Sequence, residues 1–252
     1  IKMLKSKYKI YSMDEFIDNL KKGKNEFMLT ITFDDGYKDN LLYGLPILEK
    51  FEVPALIYIT TNFLKQNVDL WWYELMETIQ NRSAINFNYE KQNFDFILKN
   101  HKQKLSTYNN LRKIFLKLRT DKQIELLETI TGTKERKNYS KICLNQEEVK
   151  VLDNHPLITI GSHSHNHLNF KILNNNEIQY EVNKSLEILE DLLNHKIKHF
   201  CYPYGGKKQV SVREYNIIEK LNLSSAVIGR AYPIKRYNLF SLPRIYVGKN
   251  IC

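Results

Sequence analysis

The sequence of 252 residues lacks the features that mark several common protein classes. Its three cysteines, Cys143, Cys201 and Cys252, are odd in number and widely spaced, which argues against a disulfide framework and fits a reducing compartment. No apolar run is long enough to span a bilayer, and no signal-peptide segment is recognisable. There is no proline- or glycine-rich linker and no repeat of solenoid period. We therefore expect one domain that is cytoplasmic or peripheral to a membrane.

The chain is basic, with a net charge of +10. Basic proteins are attracted to nucleic acids, to anionic membrane surfaces or to acidic polymers. The lysines are scattered along the chain and form no helix-turn-helix or aromatic RNP strand, so we expect no nucleic acid partner. A solvated lysine-rich surface is the simplest interpretation. The alternative is attraction to an anionic glycan, or to a lipid- or nucleotide-linked sugar at a membrane surface.

Two acidic residues follow a predicted strand near the start of the chain. Residues 27–33 are rich in apolar and β-branched side chains, and this run ends at Asp34 and Asp35. An Asp-Asp-Gly sequence alone is typical of a turn, in which aspartate bonds its own backbone and Gly36 accepts a positive φ. The carboxyl end of a strand is where α/β folds place their sites, and this favours a functional interpretation.

Three histidines at alternate positions, His163, His165 and His167, follow a second predicted strand. A continued strand would send all three to one face, whereas a helical or turned continuation would bring His163 and His167 together at i and i+4. We favour the pair. Imidazole and carboxylate are zinc ligands, so Asp35 and the two histidines could hold a metal, with Asp34 left as a general base. Surface histidines without a metal are the alternative interpretation.

With these motifs, the chain resembles the polysaccharide deacetylases of the NodB-homology type. Residues 32–36 match the family's Thr-Phe-Asp-Asp-Gly motif, and residues 163–167 match its His-Ser/Thr-x-x-His motif. Residues 202–205, Tyr-Pro-Tyr-Gly, resemble its third motif. The resemblance covers residues 27–61 and 142–247, and the segment between them looks like a family-variable insertion. The ending at 241–247 is similar to that of the subgroup associated with surface-polysaccharide biosynthesis.

The resemblance implies a role for each matched residue. Asp34 would be the catalytic base and Tyr204 would donate its backbone N–H to the oxyanion. Asp35, His163 and His167 would bind a divalent metal, with Zn²⁺ as first candidate and Co²⁺, Ni²⁺ or Fe²⁺ as alternatives. Amide hydrolysis needs an activated water, a stabilised oxyanion and a proton for the leaving amine, and these groups supply the first two needs. Next to a cation, Asp34 should stay ionised.

The chain departs from the family pattern at two places. Cys201 stands where the third motif usually carries an arginine, and Arg244 is our candidate to replace it; an ordinary arginine facing solvent is the alternative. No histidine follows His199, so the usual late general acid is absent. We therefore hypothesise that Asp34 takes the proton from water and delivers it to the leaving nitrogen. His199 is a poor substitute, because strand alternation points it elsewhere. For Cys201, a buried inert thiol is favoured over an oxidation-sensitive one.

Strand and helix patterns alternate along the chain. Strands are predicted at 27–33, 54–60, 157–161, 200–202, 224–228 and 242–247, and helices at 38–51, 175–193 and 209–221. Alternation predicts an α/β fold with a parallel sheet, and the resemblance makes it a distorted (β/α) barrel of about seven strands. We expect a single domain over residues 1–252.

The segment at about 62–141 is predicted as a mostly helical insertion. In it, Asp121 is placed to cap a helix and Gly132 to end one. The cluster of aromatic residues at 71–73 either anchors the insertion on the barrel or stacks on sugar rings, and we favour the anchor.

The residues and the resemblance together predict a metal-dependent N-deacetylase. Its substrate would be an N-acetylated amino sugar of a surface polysaccharide, or of a lipid- or nucleotide-linked precursor. A deformylase or other amidase on the same scaffold would share the metal site. A catalytically silent glycan-binding module is a third interpretation, because the late histidine and the third-motif arginine are missing. Asp34 argues against it, since a binder that only held a metal would not need a further carboxylate.

Overall fold

The computed structural model describes residues 1–24, 27–232 and 237–247, so Cys252 lies outside the described residues. Its β-strands are β1 (Lys9–Ile10), β2 (Met28–Leu29), β3 (Ile31–Phe33), β4 (Ala55–Ile59), β5 (Ala84–Tyr89), β6 (Gln92–Ile97), β7 (Ile158–Ser162), β8 (His199–Cys201), β9 (Ser225–Ile228) and β10 (Leu242–Pro243). Its α-helices are α1 (Lys2–Lys5), α2 (Met13–Lys21), α3 (Leu45–Phe51), α4 (Trp71–Gln80), α5 (His101–Phe115), α6 (Thr120–Thr131), α7 (Gln146–Asp153), α8 (Asn175–Leu193) and α9 (Val212–Ile218).

Six parallel strands form the main sheet, in the order β10-β9-β8-β7-β4-β3. In its register, Ala55 of β4 lies opposite both Ile31 of β3 and Ile158 of β7. The sheet curls into a half-barrel with helices, which confirms the predicted distorted (β/α) barrel. Among the described residues, six strands belong to this sheet, where about seven were expected. β1 and β2 form a separate two-stranded parallel sheet.

Two strands differ from their predicted bounds by more than one residue. The predicted strand at 27–33 is divided at Thr30, so that β2 pairs with β1 while β3 joins the main sheet. The predicted strand at 242–247 ends at Pro243, because its partner β9 ends at Ile228, directly opposite. The apolar side chains of residues 245–247 are exposed as a result.

The predicted helix at 38–51 is divided as well. Residues Asn40–Gly44 form a π-helical turn, and α3 starts only at Leu45. Pro46 lies in the first turn of α3, where the N–H that proline lacks has no helical partner to lose. The chain therefore changes its helical geometry ahead of the proline instead of kinking within one helix.

Alternation along β4 separates two layers of the core. Leu56 and Tyr58 are fully buried and pack with Met13 of α2 inside the half-barrel. Ile57 and Ile59 point to the opposite face and pack in the cluster that includes side chains of α3, α7 and α8. A strand buried on both faces is typical of a parallel sheet covered by helices, and it explains why Ala55–Ile59 is an unbroken apolar run.

The sequence predicts α8 with the bounds that the structure has. Asn174 caps its first turn and forms a capping box with Glu177. Ile178 and Val182 are buried on its inner face, and Glu181 is buried among them at 3% exposure. Neither α8 nor any other helix in the described part of the chain is long and apolar enough to cross a membrane.

Residues 67–139 form a compact unit of their own. Helices α4, α5 and α6 lie in it, together with an antiparallel hairpin of β5 and β6 that was not predicted from the sequence. Trp71 is buried and stacks on Phe115, with ring centroids 4.5 Å apart. It therefore belongs to the core of this unit and is not an exposed platform for a sugar. Asp121 lies inside the first turn of α6 and does not cap it, whereas Gly132 ends α6 with a φ of +76°, as predicted.

Candidate active site

Side chains from four strands meet at the carboxyl edge of the main sheet. Asp34 and Asp35 follow β3, and His163 follows β7 directly. Cys201 ends β8, and Arg244 comes directly after β10. Since parallel strands end at the same edge, residues as far as 210 positions apart in the sequence come into contact there.

Two histidines converge on one carboxylate oxygen. Oδ1 of Asp35 lies 3.3 Å from Nε2 of His163 and 3.2 Å from Nε2 of His167. Both imidazoles are buried, and their ring centroids are 4.9 Å apart. The chain turns after β7, so the two histidines meet at i and i+4, as predicted, and the continued strand is wrong.

These donor atoms fit a divalent metal ion. One carboxylate oxygen and two imidazole nitrogens are the ligand types of zinc sites and suit Co²⁺, Ni²⁺ and Fe²⁺ as well. Nδ1 of His163 lies 2.7 Å from the carbonyl oxygen of Cys201, an acceptor that holds the imidazole proton on Nδ1 and leaves Nε2 to face Asp35. The set of Asp35, His163 and His167 therefore has the ligand atoms, and the tautomer of His163, that a metal site needs.

A second group of ligand types, Asp34, His163 and Cys201, lies in the same cluster. The guanidinium of Arg244 contacts both Asp34 and the Cys201 thiol, so a cation between them would face its positive charge. The carboxylate of Asp35, in contrast, contacts His163 and His167, and no described arginine or lysine forms an ion pair with it. Of the two groups, the one formed by Asp35, His163 and His167 is therefore the better candidate for a metal site.

Both carboxylates are ionised near neutral pH. Burial raises the pKa of Asp35, but the two histidines lower it further, and the net pKa lies well below its usual range. Burial also raises the pKa of Asp34, whereas the positive charges of His163 and Arg244 lower it, and the net pKa is again below the ordinary value. An opposite charge close by favours the charged form of a carboxyl group. Asp34 is thus able to accept a proton.

Arg244 holds Asp34 through both carboxylate oxygens. Nη1 of Arg244 donates to Oδ1 at 2.6 Å, and Nη2 donates to Oδ2 at 2.8 Å. Nη1 also donates to Oγ1 of Thr32 at 3.1 Å, which links the two edge strands of the main sheet, β10 and β3. The alternative of an arginine that faces solvent is therefore wrong. A two-pronged contact of this kind fixes the orientation of the carboxylate as well as its charge.

Cys201 occupies the position where the resemblance leads one to expect an arginine. Its side chain is fully buried, and Nη2 of Arg244 donates to its Sγ at 3.0 Å. Burial raises the pKa of the thiol. Cys201 and Cys143 are both free and buried. The short side chain at position 201 leaves room for the guanidinium that arrives from the end of β10.

The motif loops contain backbone conformations that few residues adopt. Positive φ values of 72°, 68°, 56° and 62° occur at Asp35, Ser164, His167 and Tyr204. Each such conformation costs of the order of 1–3 kcal/mol and persists only where the surrounding structure holds it. Gly205 has to be glycine, since a Cβ there would lie 2.2 Å from the backbone N of Gly229. Strain of this kind is concentrated at functional sites, and here it coincides with all three motifs.

The third motif contacts the candidate site, whereas His199, the last histidine of the chain, contacts other residues. The ring of Tyr204 packs edge-to-face on His167, with centroids 4.6 Å apart, and this places the third motif beside the candidate metal ligands. His199 is fully buried, with Nδ1 2.9 Å from Oγ of Ser225 and Nε2 3.3 Å from Oδ1 of Asp14. Nδ1 is therefore hydrogen-bonded, and Nε2 has the carboxylate of Asp14 within ion-pair distance. His199 is therefore not available as a replacement acid, as expected.

Two further residues contribute to the site, and the sequence alone assigned neither of them a role. Thr32 accepts a hydrogen bond from Arg244, and its place in the first motif could have suggested a role. Glu181 of α8 accepts hydrogen bonds from Asn166, which lies between the two histidine ligands. No sequence signal marks Glu181, because an acidic residue in a long helix is ordinarily exposed.

Residues 21–224 match a family model described as polysaccharide deacetylase. The chain belongs to the polysaccharide deacetylase family. This confirms the resemblance drawn from the three motifs. Removal of acetyl groups from N-acetylated glycans is the activity that the family implies. A comparison with curated protein sequences finds no match.

Several solved structures share the fold, two of them described as deacetylases. The deacetylase PplD of Streptococcus pyogenes, in complex with acetate, is 17% identical, with a TM-score of 0.61 over 99% of this chain and 78% of that chain. The BpsB deacetylase domain of Bordetella bronchiseptica is 13% identical, with a TM-score of 0.60 over 96% of this chain and 81% of that chain. IcaB of Ammonifex degensii is 14% identical, with a TM-score of 0.58 over 96% and 78%. At these identities the similarity is one of fold.

Proposed function

We propose that this protein is a metal-dependent N-deacetylase that acts on amino sugars of a surface polysaccharide or of its precursor. The observation that carries the proposal is the convergence of His163 and His167 on Asp35. A second ionised carboxylate, that of Asp34, is held separately beside them. Binding of a glycan or a metal would not need this further acid, whereas hydrolysis needs a base. Membership in the deacetylase family supports the same reaction.

Asp35, His163 and His167 would hold the divalent ion, with Zn²⁺ as first candidate. An ion bound there would polarise the acyl carbonyl and acidify the attacking water. The ligands come from loops at the ends of β3 and β7, two strands of one rigid sheet. Ligands on such elements keep their geometry without the substrate, which favours metal binding and catalysis together.

Asp34 acts as the general base in this proposal. Its ionised carboxylate takes the proton of the attacking water, while Arg244 keeps both carboxylate oxygens oriented. The oxygen of the acyl group becomes negative as water adds to the carbon. The backbone N–H of Tyr204 donates to this oxyanion, and the packing of its ring on His167 keeps the third motif in place.

The leaving amine needs a proton as the C–N bond breaks. No histidine follows His199 in the sequence, and His199 itself is held by Ser225 and Asp14. We therefore assign both proton transfers to Asp34. It takes one proton from water and returns it to the amine nitrogen, so the hydroxyl of water ends on acetate and the proton ends on the amino sugar.

The proposed substrate is an N-acetylated glycan or a lipid- or nucleotide-linked amino sugar. The net charge of +10 favours an anionic polymer or a substrate at an anionic membrane surface. The structure of PplD, whose fold is similar, is described in complex with acetate, the acid that deacetylation releases. This supports an acetyl group over a formyl group as the acyl group removed.

The proposal is tested by acid release from a panel of substrates. N-acetylglucosamine oligomers, a lipid-linked N-acetyl sugar and their N-formyl analogues are incubated with protein stripped of metal and then reloaded with Zn²⁺ or Co²⁺. His167→Ala is compared with His195→Ala, the same substitution at an exposed histidine that contacts Asp153. We expect acetate release that returns with metal, is lost in His167→Ala and is kept in His195→Ala.

Other outcomes would change the assignment. Release of formate but not acetate would make the protein a deformylase on this scaffold. Glycan binding without release of either acid, in protein that holds its metal, would make it a silent binding module. Release that persists without metal, or in His167→Ala, would contradict the metal site.

A further inference from the structure

The loop between the two histidine ligands is held by the end of β4. Thr61 donates its backbone N–H to the carbonyl of Ser164 at 3.3 Å. Oγ1 of Thr61 lies 2.8 Å from Nδ1 of His165, and the backbone N–H of Asn62 donates to the carbonyl of His165 at 3.0 Å. The middle histidine of the motif is thus fixed outside the metal site, which leaves His163 and His167 to point inwards.

On its other side, the same loop is held by one acidic side chain of α8. Oε2 of Glu181 accepts from the backbone N of Asn166 at 2.7 Å, and Oε1 accepts from Nδ2 of Asn166 at 2.7 Å. The backbone carbonyl of Glu181 accepts from the N–H of His165 at 3.1 Å. Glu181 is 3% exposed, and a buried carboxylate is tolerated only where such donors satisfy it. One residue of α8 therefore bonds both residues that follow Ser164.

The next turn of α8 supports the start of the loop. Oγ of Ser185 lies 2.6 Å from Oγ of Ser162, the last residue of β7. Ser164 donates its backbone N–H to the same Ser162 hydroxyl at 3.3 Å. The hydroxyl of Ser164 then accepts from the backbone N of His167 at 3.1 Å. Residues four apart lie on the same face of a helix, so Glu181 and Ser185 hold the loop as one surface.

The loop needs this support because its backbone is strained. Ser164 and His167 both have positive φ values, which side chains with a Cβ rarely adopt. If the loop relaxed, His167 would turn away from the oxygen of Asp35 that it shares with His163.

From these contacts, we infer that Glu181 is a positioning residue of the metal site. By tying His165 and Asn166 to α8, it holds the strained loop in the one conformation in which both flanking histidines reach Asp35. The inference rests on the proposed function, because the role given to Glu181 is to support metal binding. Replacing a group that orients metal ligands typically weakens metal affinity about 10- to 100-fold.

Glu181→Ala tests the inference, and Glu214→Ala is the matched control. Glu214 is also fully buried and accepts from a backbone N, that of Ser211, but it lies on α9 and not at the ligand loop. Zn²⁺ affinity is measured by competition with a chromophoric chelator. Amide hydrogen exchange of residues 162–168 is measured in the metal-free protein. We expect Glu181→Ala to bind Zn²⁺ about 10- to 100-fold more weakly and to exchange faster in this loop. Glu214→Ala should lower only the unfolding midpoint.

A pair of complementary substitutions separates positioning from general damage to the fold. Asn166→Asp places two carboxylates against each other and should weaken Zn²⁺ binding. Glu181→Gln in the same chain supplies an amide that donates to the new carboxylate and still accepts from the backbone N–H. The double variant should recover most of the lost Zn²⁺ affinity, an energetic coupling that only residues in contact show.

Two results would overturn the inference. One is wild-type Zn²⁺ affinity and wild-type exchange of residues 162–168 in Glu181→Ala. The other is an Asn166→Asp defect that Glu181→Gln does not relieve. A wild-type protein that binds none of Zn²⁺, Co²⁺, Ni²⁺ and Fe²⁺ would refute the proposed function instead, and the exchange rates of the loop would still decide whether Glu181 holds it.

Discussion

Replacing Arg244 with alanine should cost stability and should change the pH dependence of catalysis. The change removes two charge-assisted hydrogen bonds to Asp34, at 2.6 Å and 2.8 Å. Loss of one partner of a fully buried ion pair costs about 3–5 kcal/mol. The two side chains are 19% and 34% exposed, so water would partly solvate the remaining charge. We therefore expect a loss of about 2–3 kcal/mol in the free energy of unfolding.

For a chain of this size, that loss lowers the thermal midpoint by about 4–12 °C. The effect on catalysis has a definite sign. Arg244 is one of the positive charges that lower the pKa of Asp34, so its removal raises this pKa, and the acid limb of the kcat/KM profile moves to higher pH. A base that is no longer held in position should lower kcat/KM about 10²-fold. Arg244→Lys keeps the positive charge but loses one of the two hydrogen bonds to the carboxylate. The acid limb of its kcat/KM profile should therefore stay nearer that of the wild type.

The assay is kcat/KM for acetate release from pH 4 to pH 9, with urea unfolding of the same samples. Arg213→Ala serves as the control, because Arg213 also donates to a buried carboxylate, that of Glu214, and to the carbonyl of Phe170 outside the site. Arg213→Ala should lower the free energy of unfolding without shifting the acid limb of the kcat/KM profile. A profile of Arg244→Ala that superimposes on that of the wild type would refute the role given to Arg244.

Three further predictions concern other parts of the molecule. The contact with His199 lowers the pKa of Asp14 to about 2, so its stabilising contribution should be complete above about pH 4 and lost as pH falls towards 2. Because Asp14 is half exposed, urea titrations of Asp14→Asn should show a loss below about 1 kcal/mol at pH 6 that vanishes at pH 2. Trp71→Ala should destabilise the 67–139 unit by about 3–5 kcal/mol, seen as faster hydrogen exchange in α4 and α5; unchanged exchange there would contradict its place in that core. Gly36→Ala should cost about 1–2 kcal/mol of unfolding free energy, because its φ is +81°, and a neutral effect would mean that the first motif relaxes.

The site could be predicted where its chemistry coincided with a local pattern. Asp34, Asp35 and His163 each follow an apolar run that ends a strand, so both their type and their place could be inferred. For Arg244, the sequence left two interpretations open: a replacement for the missing third-motif arginine, or an ordinary arginine facing solvent. Its contact with Asp34 arises when the two edge strands of the sheet approach across 210 positions of sequence, and no local pattern records that closure.

The fold, too, could be predicted only where a local sequence pattern marks the element. α8 has a capping box and a long apolar stripe, and its bounds follow from them. The hairpin of β5 and β6 was missed, although Phe87 and Tyr89 alternate with polar residues as in a strand. Its turn is made by Glu90 and Lys91 at positive φ, whereas such turns ordinarily contain Asn-Gly or Asp-Gly. Without that signal, the helical periodicity of the surrounding segment dominates.

In the proposed function, Asp34 is the base of a metal-dependent deacetylation. The most direct test of this role is acetate release by the wild type and by Asp34→Asn at equal, measured Zn²⁺ occupancy. Asp39→Asn is the control, because Asp39 is an exposed acid five positions away. We expect all three proteins to bind Zn²⁺ alike, and only Asp34→Asn to release acetate more slowly, by about 10²- to 10⁴-fold. Equal release by the wild type and Asp34→Asn at the same occupancy would show that Asp34 is not the base.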